Sequence, residues 1–233
     1  MPSILGAVAF TMSLNNPVKS QEARVVHCAD AIAWLAENPT LSGCSVVTSL
    51  PDVSEVPEFG LDGWRTWFTD AAERVMRATP DDGVAIFFQT DIKKSGTWVD
   101  KGYLVHDAAR RAGMRLHWHK IVCLRPAGTV TFGRPAYSHL LCYARTLPLE
   151  LSRATPDVLP DAGETTWTRG MGAKACEVAC RYVLDATPTR TVVDPFCGQG
   201  MVLAVANAMN LAAIGVERSA KRVRKARNLV VSL

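Results

Sequence analysis

The sequence predicts an α/β protein with a doubly wound, mostly parallel sheet of about seven strands. Short runs rich in Val, Ile and Phe recur along the chain, most are followed by apolar residues at helical spacing, and turn residues separate the two. Its 233 residues, 48% hydrophobic and 21% charged, suit one domain with an ample core and exclude disordered and fibrous classes. No apolar run approaches the roughly 20 residues of a membrane span. The mildly apolar start Ile4 to Phe10 lacks the basic flank and cleavage site of a signal peptide, so a cytoplasmic protein without a membrane partner is expected.

The elements follow in order. Arg24 to His27 is a short apolar strand, closed by Cys28-Ala-Asp30 and followed by a helix from Ala31 to Glu37. Cys44 to Ser49 reads as a buried strand, and Gly63 to Ala78 as an amphipathic helix ending before the turn Pro80-Asp-Asp-Gly83. Val84 to Gln89 is another buried strand, and Val105 to Ala112 a helix stopped by Gly113. Two long strands, Met114 to Leu124 and Ser138 to Arg145, have no helix between them and are therefore expected to pair antiparallel, one of them against the direction of the sheet. The polar, proline-bearing stretch 147–164 reads as a linker between a half at 24–146 and a half at 165–233. The second half alternates a helix Ala173 to Leu184, a strand Arg190 to Pro195, a helix Met201 to Met209, a strand Ala212 to Glu217 and a helix Ala220 to Val230.

Twenty-six basic against 22 acidic side chains give a net charge of +4, which permits nucleic acid as a partner without demanding it. Most of the imbalance sits in the tail Glu217 to Arg227, while Asp52 to Glu58 is acidic. Seven scattered cysteines with no paired CxxC read as buried thiols. His117 and His119 alternate with Trp118 and are expected to face one way, but no third ligand is evident, so no metal is expected.

The most informative segment is Thr191-Val-Val-Asp-Pro-Phe-Cys-Gly-Gln-Gly-Met-Val-Leu203. A buried strand runs into an acid, then into two glycines, then into a helix. Glycine lets a ligand approach the backbone, and a helix N-terminus offers free N–H groups to an anion. The string Asp-Pro-Phe-Cys-Gly-x-Gly resembles the first motif of class I S-adenosylmethionine-dependent methyltransferases, particularly the amino-methyltransferases of DNA and RNA. The resemblance implies a Rossmann-like fold. It places Asp194 and Pro195 at the strand end near the methionine moiety and has Phe196, Gly198 and Gly200 wrap methionine and ribose. Gly215-Val-Glu217 resembles the second motif, whose acid accepts from the ribose hydroxyls. The next strand of the family is missing after it, and Val25-Val-His-Cys-Ala-Asp30 resembles it at the front of the chain, with Asp30 placed for the adenine amine or as the cap of the following helix. Counted by family position, the strands run third to seventh, then first and second, which implies a circular permutation over roughly residues 24 to 230.

Ser49-Leu-Pro-Asp52 stands where the family carries its acceptor motif, a polar residue followed by two prolines and an aromatic. Ser49, Pro51 and Asp52 are the expected catalytic residues. The aromatic is lost, so stacking on a substrate base would come from elsewhere, with Trp64, Trp67 and Trp98 as candidates. Asp52 can orient an amine, take a proton, or simply bond its own turn. Asp91, Lys93 and Lys94, after the fifth family strand, are the expected substrate-binding residues. The implied activity is in-line methyl transfer from S-adenosyl-L-methionine, with S-adenosyl-L-homocysteine as product, to a base nitrogen or hydroxyl of RNA. RNA is favoured over DNA because only about 20 residues separate Arg145 from Trp167, too few for a DNA recognition insert of the kind the relatives carry, and transfer RNA is favoured among RNAs from the family resemblance and the basic balance alone. A small molecule or protein as acceptor, or a silent cofactor-binding subunit, are the alternatives.

Overall fold

The computed structural model describes residues 24–94, 96–147, 154–168 and 170–233; the apolar start at 4–10 lies outside them. The first half contains β1 (Arg24–Cys28), α1 (Ala31–Glu37), β2 (Cys44–Thr48), a short 3-10 turn (Pro57–Phe59), α2 (Gly60–Ala78), β3 (Ala85–Gln89), β4 (Ile92–Lys94) and β5 (Thr97–Val99). It continues through α3 (Lys101–Ala112), β6 (Arg115–Cys123) and β7 (Tyr137–Ala144). Then come β8 (Val158–Leu159), α4 (Ala173–Ala186), β9 (Thr191–Asp194), α5 (Met201–Ala208), β10 (Ala212–Glu217) and α6 (Ala220–Asn228).

The main sheet runs in the order β1-β10-β9-β2-β3-β7-β6-β8. Only β7 opposes its neighbours, pairing antiparallel with β3 and β6, while every other pair is parallel. The two long strands thus pair as their missing crossover helix requires. The count is eight rather than seven, because Val158 and Leu159, inside the stretch read as a linker, add a two-residue strand alongside Ile121 and Val122. The β4–β5 hairpin forms a separate two-stranded sheet. Its three-residue strands carry too little alternation to be read from sequence.

Continuous apolar strands have both faces to cover. Phe87, Leu141, Tyr143 and Val46 point into a core with α2 and α3, while Ile86, Leu140, Cys142 and Val47 point into a second core with α4, α5 and α6. The two imidazoles of β6 do not share a face. The ladder with β7 skips a residue between Leu116 and Trp118, and this bulge turns His117 towards Tyr182 of α4. His119, past the bulge, bonds His139 on the opposite side.

The first and last strands of the chain meet at one edge. Arg24 donates to Asn207 Oδ1 at 2.6 Å and to the carbonyls of Ala226 and Leu229 at 2.8 and 2.7 Å, so β1 is stitched to the end of α6.

Candidate cofactor and acceptor cleft

Parallel strands end on one side of such a sheet, and ligands bind beyond those ends. Here β2, β9 and β10 end at a cleft lined by Asp30, Ser49, Pro51, Asp52, Asp194, Pro195, Phe196 and Glu217. Residues far apart in sequence are therefore gathered by the register of three strands.

Asp194 closes β9 and is buried. Its Oδ1 accepts from the Thr48 hydroxyl at 2.7 Å and from the Phe196 backbone N–H at 3.1 Å. Burial is the main reason its carboxyl is raised to about 7, with the nearby Glu217 charge adding to it and the two hydrogen bonds opposing. Gly198 has φ +54° and Gly200 φ +87°, left-handed backbone that favours glycine. Their surroundings differ. A Cβ on Gly198 would meet nothing closer than Trp167 Nε1 at 4.0 Å, whereas one on Gly200 would lie 2.7 Å from the Ala226 Cα of α6. Gly200 lets two helices touch, and Gly198 leaves room beside the cleft residue Trp167.

Glu217 ends β10 with Oε1 accepting from the Ser219 N–H at 2.7 Å, while Oε2 faces Arg222 at 3.8 Å. Arg222 also faces Glu55 at 3.8 Å and lies 5.0 Å over the Trp167 ring, joining the turn after β2 to the start of α6. Asp30 caps α1 through Oδ1, which accepts from Ile32 and Ala33 at 3.0 Å. Glu217 and the turn residues Asp194 to Cys197 and Gln199 line the cleft, while Gly198 and Gly200 are not among its lining residues.

On the acceptor side Asp52 Oδ2 accepts from Arg134 at 2.9 Å and faces Lys101 Nζ at 3.7 Å. Lys101 is 3% exposed, with its ammonium 5.5 Å from the Trp64 ring centroid and 5.9 Å from that of Phe68. Burial holds its pKa below the ordinary lysine value against the pull of Asp52. The carbonyl of Pro51 accepts from Trp64 Nε1 at 3.2 Å, so Trp64 supports the turn from beneath. Trp67 reaches the cleft, edge-on to Phe196 at 6.2 Å and stacked on Phe59 at 5.9 Å.

Asp91, Lys93 and Lys94 do not line this cleft. Asp91 is buried, with Oδ1 accepting from the Lys101 N–H at 2.8 Å and Oδ2 facing Trp98 Nε1 at 3.0 Å and His139 Nε2 at 3.2 Å. It ties the hairpin to the start of α3 and so positions Lys101. Lys93 donates to the Thr131 carbonyl at 3.2 Å and lies 4.7 Å over the Trp98 ring, while Lys94 is exposed. Asp91, Asp100 and His139 bring potential metal-ligand atoms within 4.8 Å of one another. Each already has a protein partner, since Asp100 accepts from the Tyr103 N–H and His139 also bonds His119. Hydrogen bonding accounts for the group.

Sequence reasoning passed over Thr48, Gln89, Lys101, Arg134, Trp167 and Arg222. Gln89 could have been flagged by position, since it closes the predicted strand Val84 to Gln89 on the side where Ser49 opens; Lys101 could not, because the β4–β5 hairpin that places it was not read from sequence. Arg134 reaches Asp52 from the connection between β6 and β7, and no local pattern announces that.

No family model matches the chain, and no curated protein matches it by sequence. Solved structures do. A putative DNA modification methylase from Thermus thermophilus, TTHA0409, superposes with a TM-score of 0.66 at 18% identity, covering 86% of this chain and 91% of its own. The chain has a methyltransferase fold. The PvuII cytosine-N4-specific DNA methyltransferase gives 0.66 at 15% identity over 91% of this chain and 88% of its own. M1.HpyAVI in complex with SAM gives 0.58 at 13% over 88% and 98%. At such identities the likeness is one of fold, and the mostly parallel sheet with its single opposed strand is what the methyltransferase fold shares.

Proposed function

We propose that this protein transfers a methyl group from S-adenosyl-L-methionine to a base of nucleic acid, releasing S-adenosyl-L-homocysteine. The observation that carries the reading is that the Asp194 to Gly200 turn, Glu217 and the Ser49 to Asp52 turn meet at one cleft at the ends of neighbouring strands. The cofactor supplies an electrophilic methyl on a sulfonium. The chain's part is alignment. Glu217 accepts from the ribose hydroxyls, Asp30 turns its second oxygen to the adenine amine, and Phe196 packs along the cofactor. Ser49 and the backbone beside Pro51 orient the acceptor. Asp52, held between Arg134 and Lys101, fixes the shape of that turn and presents negative charge to an amine.

The solved relatives named as DNA methylases favour nucleic acid as the acceptor and lend no support to RNA in particular. RNA over DNA rests on the short span between Arg145 and Trp167, and transfer RNA on the family resemblance and the net charge of +4 alone. The chain order supports a permuted reading, because the strand with the first motif, β9, comes late in the chain yet lies in mid-sheet.

Calorimetry with S-adenosylmethionine tests the cofactor, with a dissociation constant expected at roughly micromolar. Methyl transfer from labelled cofactor to genomic DNA and to total RNA, followed by nucleoside mass spectrometry, tests the acceptor. Label in neither pool but in small molecules or protein would move the acceptor. Cofactor binding with no transfer at all would leave a silent binding subunit.

A further inference from the structure

We infer that Gln89 reads the acceptor base, its side-chain amide donating a hydrogen bond to a ring nitrogen or carbonyl oxygen on the edge that enters the cleft; this rests on the function proposed above. Gln89 is the last residue of β3, beside the end of β2 from which Ser49 projects. The register pairs Thr48 with Phe87, so Ser49 and Gln89 leave the same end of the sheet one residue out of step. Both line the cleft.

The side chain is 1% exposed, and its Nε2 has no hydrogen-bond partner among the described residues. A buried donor left unpaired keeps the full cost of leaving water, and native proteins rarely tolerate that without a use. Other polar groups at this end of the sheet are taken. Thr48 donates to Asp194, Thr90 bonds Ser138, and Lys101 and Arg134 both face Asp52. The other buried unpartnered polar atom among the described residues, Trp118 Nε1, belongs to β6, away from the cleft. Gln89 therefore offers a donor with nothing inside the protein to receive it.

A donor selects its complement. A neutral base presents ring nitrogens and carbonyl oxygens along its edge, and a single amide N–H at the end of β3 distinguishes an edge that accepts from one that donates. Gln89 is on this account a specificity-determining residue, acting on the acceptor and not on the cofactor.

Gln89→Met preserves length and approximate volume while removing the amide. Without ligand, the variant should melt about 2–4 °C higher, because an unpaired donor has gone. Affinity for S-adenosylmethionine should be unchanged. Methyl transfer to the nucleic acid that the wild type modifies should fall by roughly 10- to 100-fold. A lower melting midpoint would show that the amide holds the fold and would overturn the inference, as would undiminished transfer. If the wild type itself methylates neither DNA nor RNA, the proposed function fails and base reading goes with it. That failure is distinct from an active wild type whose variant is equally active, which overturns the role of Gln89 alone.

Discussion

Three side chains in the cleft carry opposed demands, and each yields a measurable consequence. Asp194 is raised to about 7 chiefly by burial. A carboxyl raised on folding contributes stability that is full below its unfolded pKa and is lost as pH climbs through the folded one, so this contribution fades between about pH 4 and pH 7. A cationic cofactor beside it favours the ionised form. Binding S-adenosylmethionine should then release a proton at about pH 6 and almost none at about pH 8, where the group is already ionised. Calorimetry in two buffers of different ionisation heat measures this, and Asp194→Asn should abolish the difference. Asp52 is the carboxylate that faces Lys101, so Asp52→Ala strands a buried ammonium and should lower stability by about 3 kcal/mol, in addition to any loss of turnover. Adding Lys101→Met to it should recover most of that stability in chemical denaturation without restoring activity. Asp52→Asn separates orientation from proton transfer, since its amide still accepts a hydrogen bond but is no base; retained turnover in Asn together with loss in Ala indicates orientation of an amine.

At the level of elements, the two glycines before α5 differ in what a side chain would meet, which allows separate tests of packing and of cofactor binding. Gly200→Ala forces a Cβ to within 2.7 Å of Ala226 and should cost about 2 kcal/mol or more, seen as a lower denaturation midpoint. Gly198→Val meets no atom nearer than Trp167 Nε1 but forces a β-branched residue into left-handed backbone, so it should cost about 1–3 kcal/mol of stability and leave a folded fraction, seen by circular dichroism, that no longer binds S-adenosylmethionine by calorimetry. A folded Gly198→Val that binds normally would remove the cofactor loop from the account. Both glycines were legible in the sequence because a strand, an acid and a turn precede a helix there. The bounds of α1 and β10 were legible too, from Asp30 as cap and from an unbroken apolar run. The hairpin at β4 and β5 was not, nor was β8, since strands of two or three residues exist only through their partners. The bulge at His117 escaped for a related reason. Alternation predicts sides correctly only while the ladder keeps step, and nothing local in Leu116-His-Trp118 signals the skipped residue.

For the whole molecule, the site is assembled by topology more than by any continuous segment. Ser49, Asp194 and Glu217 were recognisable singly, but Lys101 and Arg134 acquire meaning only once the hairpin and the β6–β7 connection fold back over Asp52. The sheet order also carries a test of the permuted reading. Because Arg24 bonds the carbonyls of Ala226 and Leu229, the chain at 229 can be joined to residue 24 by a short linker. Residues 1–23 would be omitted and new ends opened within the 147–164 stretch. Such a chain should fold with the same sheet and bind S-adenosylmethionine with similar affinity, by circular dichroism and calorimetry. Loss of folding would show that the present order of the two halves is itself needed.

The shortness of β8 bears on how the protein behaves in a crowded solution. It covers β6 only at Ile121 and Val122, so among the described residues the outer side of Arg115 to Lys120 has no strand beside it. A bare strand edge invites the edge of another molecule and, repeated, builds aggregates. This one is kinked by the bulge and studded with Arg115, His117 and His119, features that spoil a straight, apolar template. Brevity of the outermost strand and irregularity of its neighbour thus act together as a guard against self-association along the sheet.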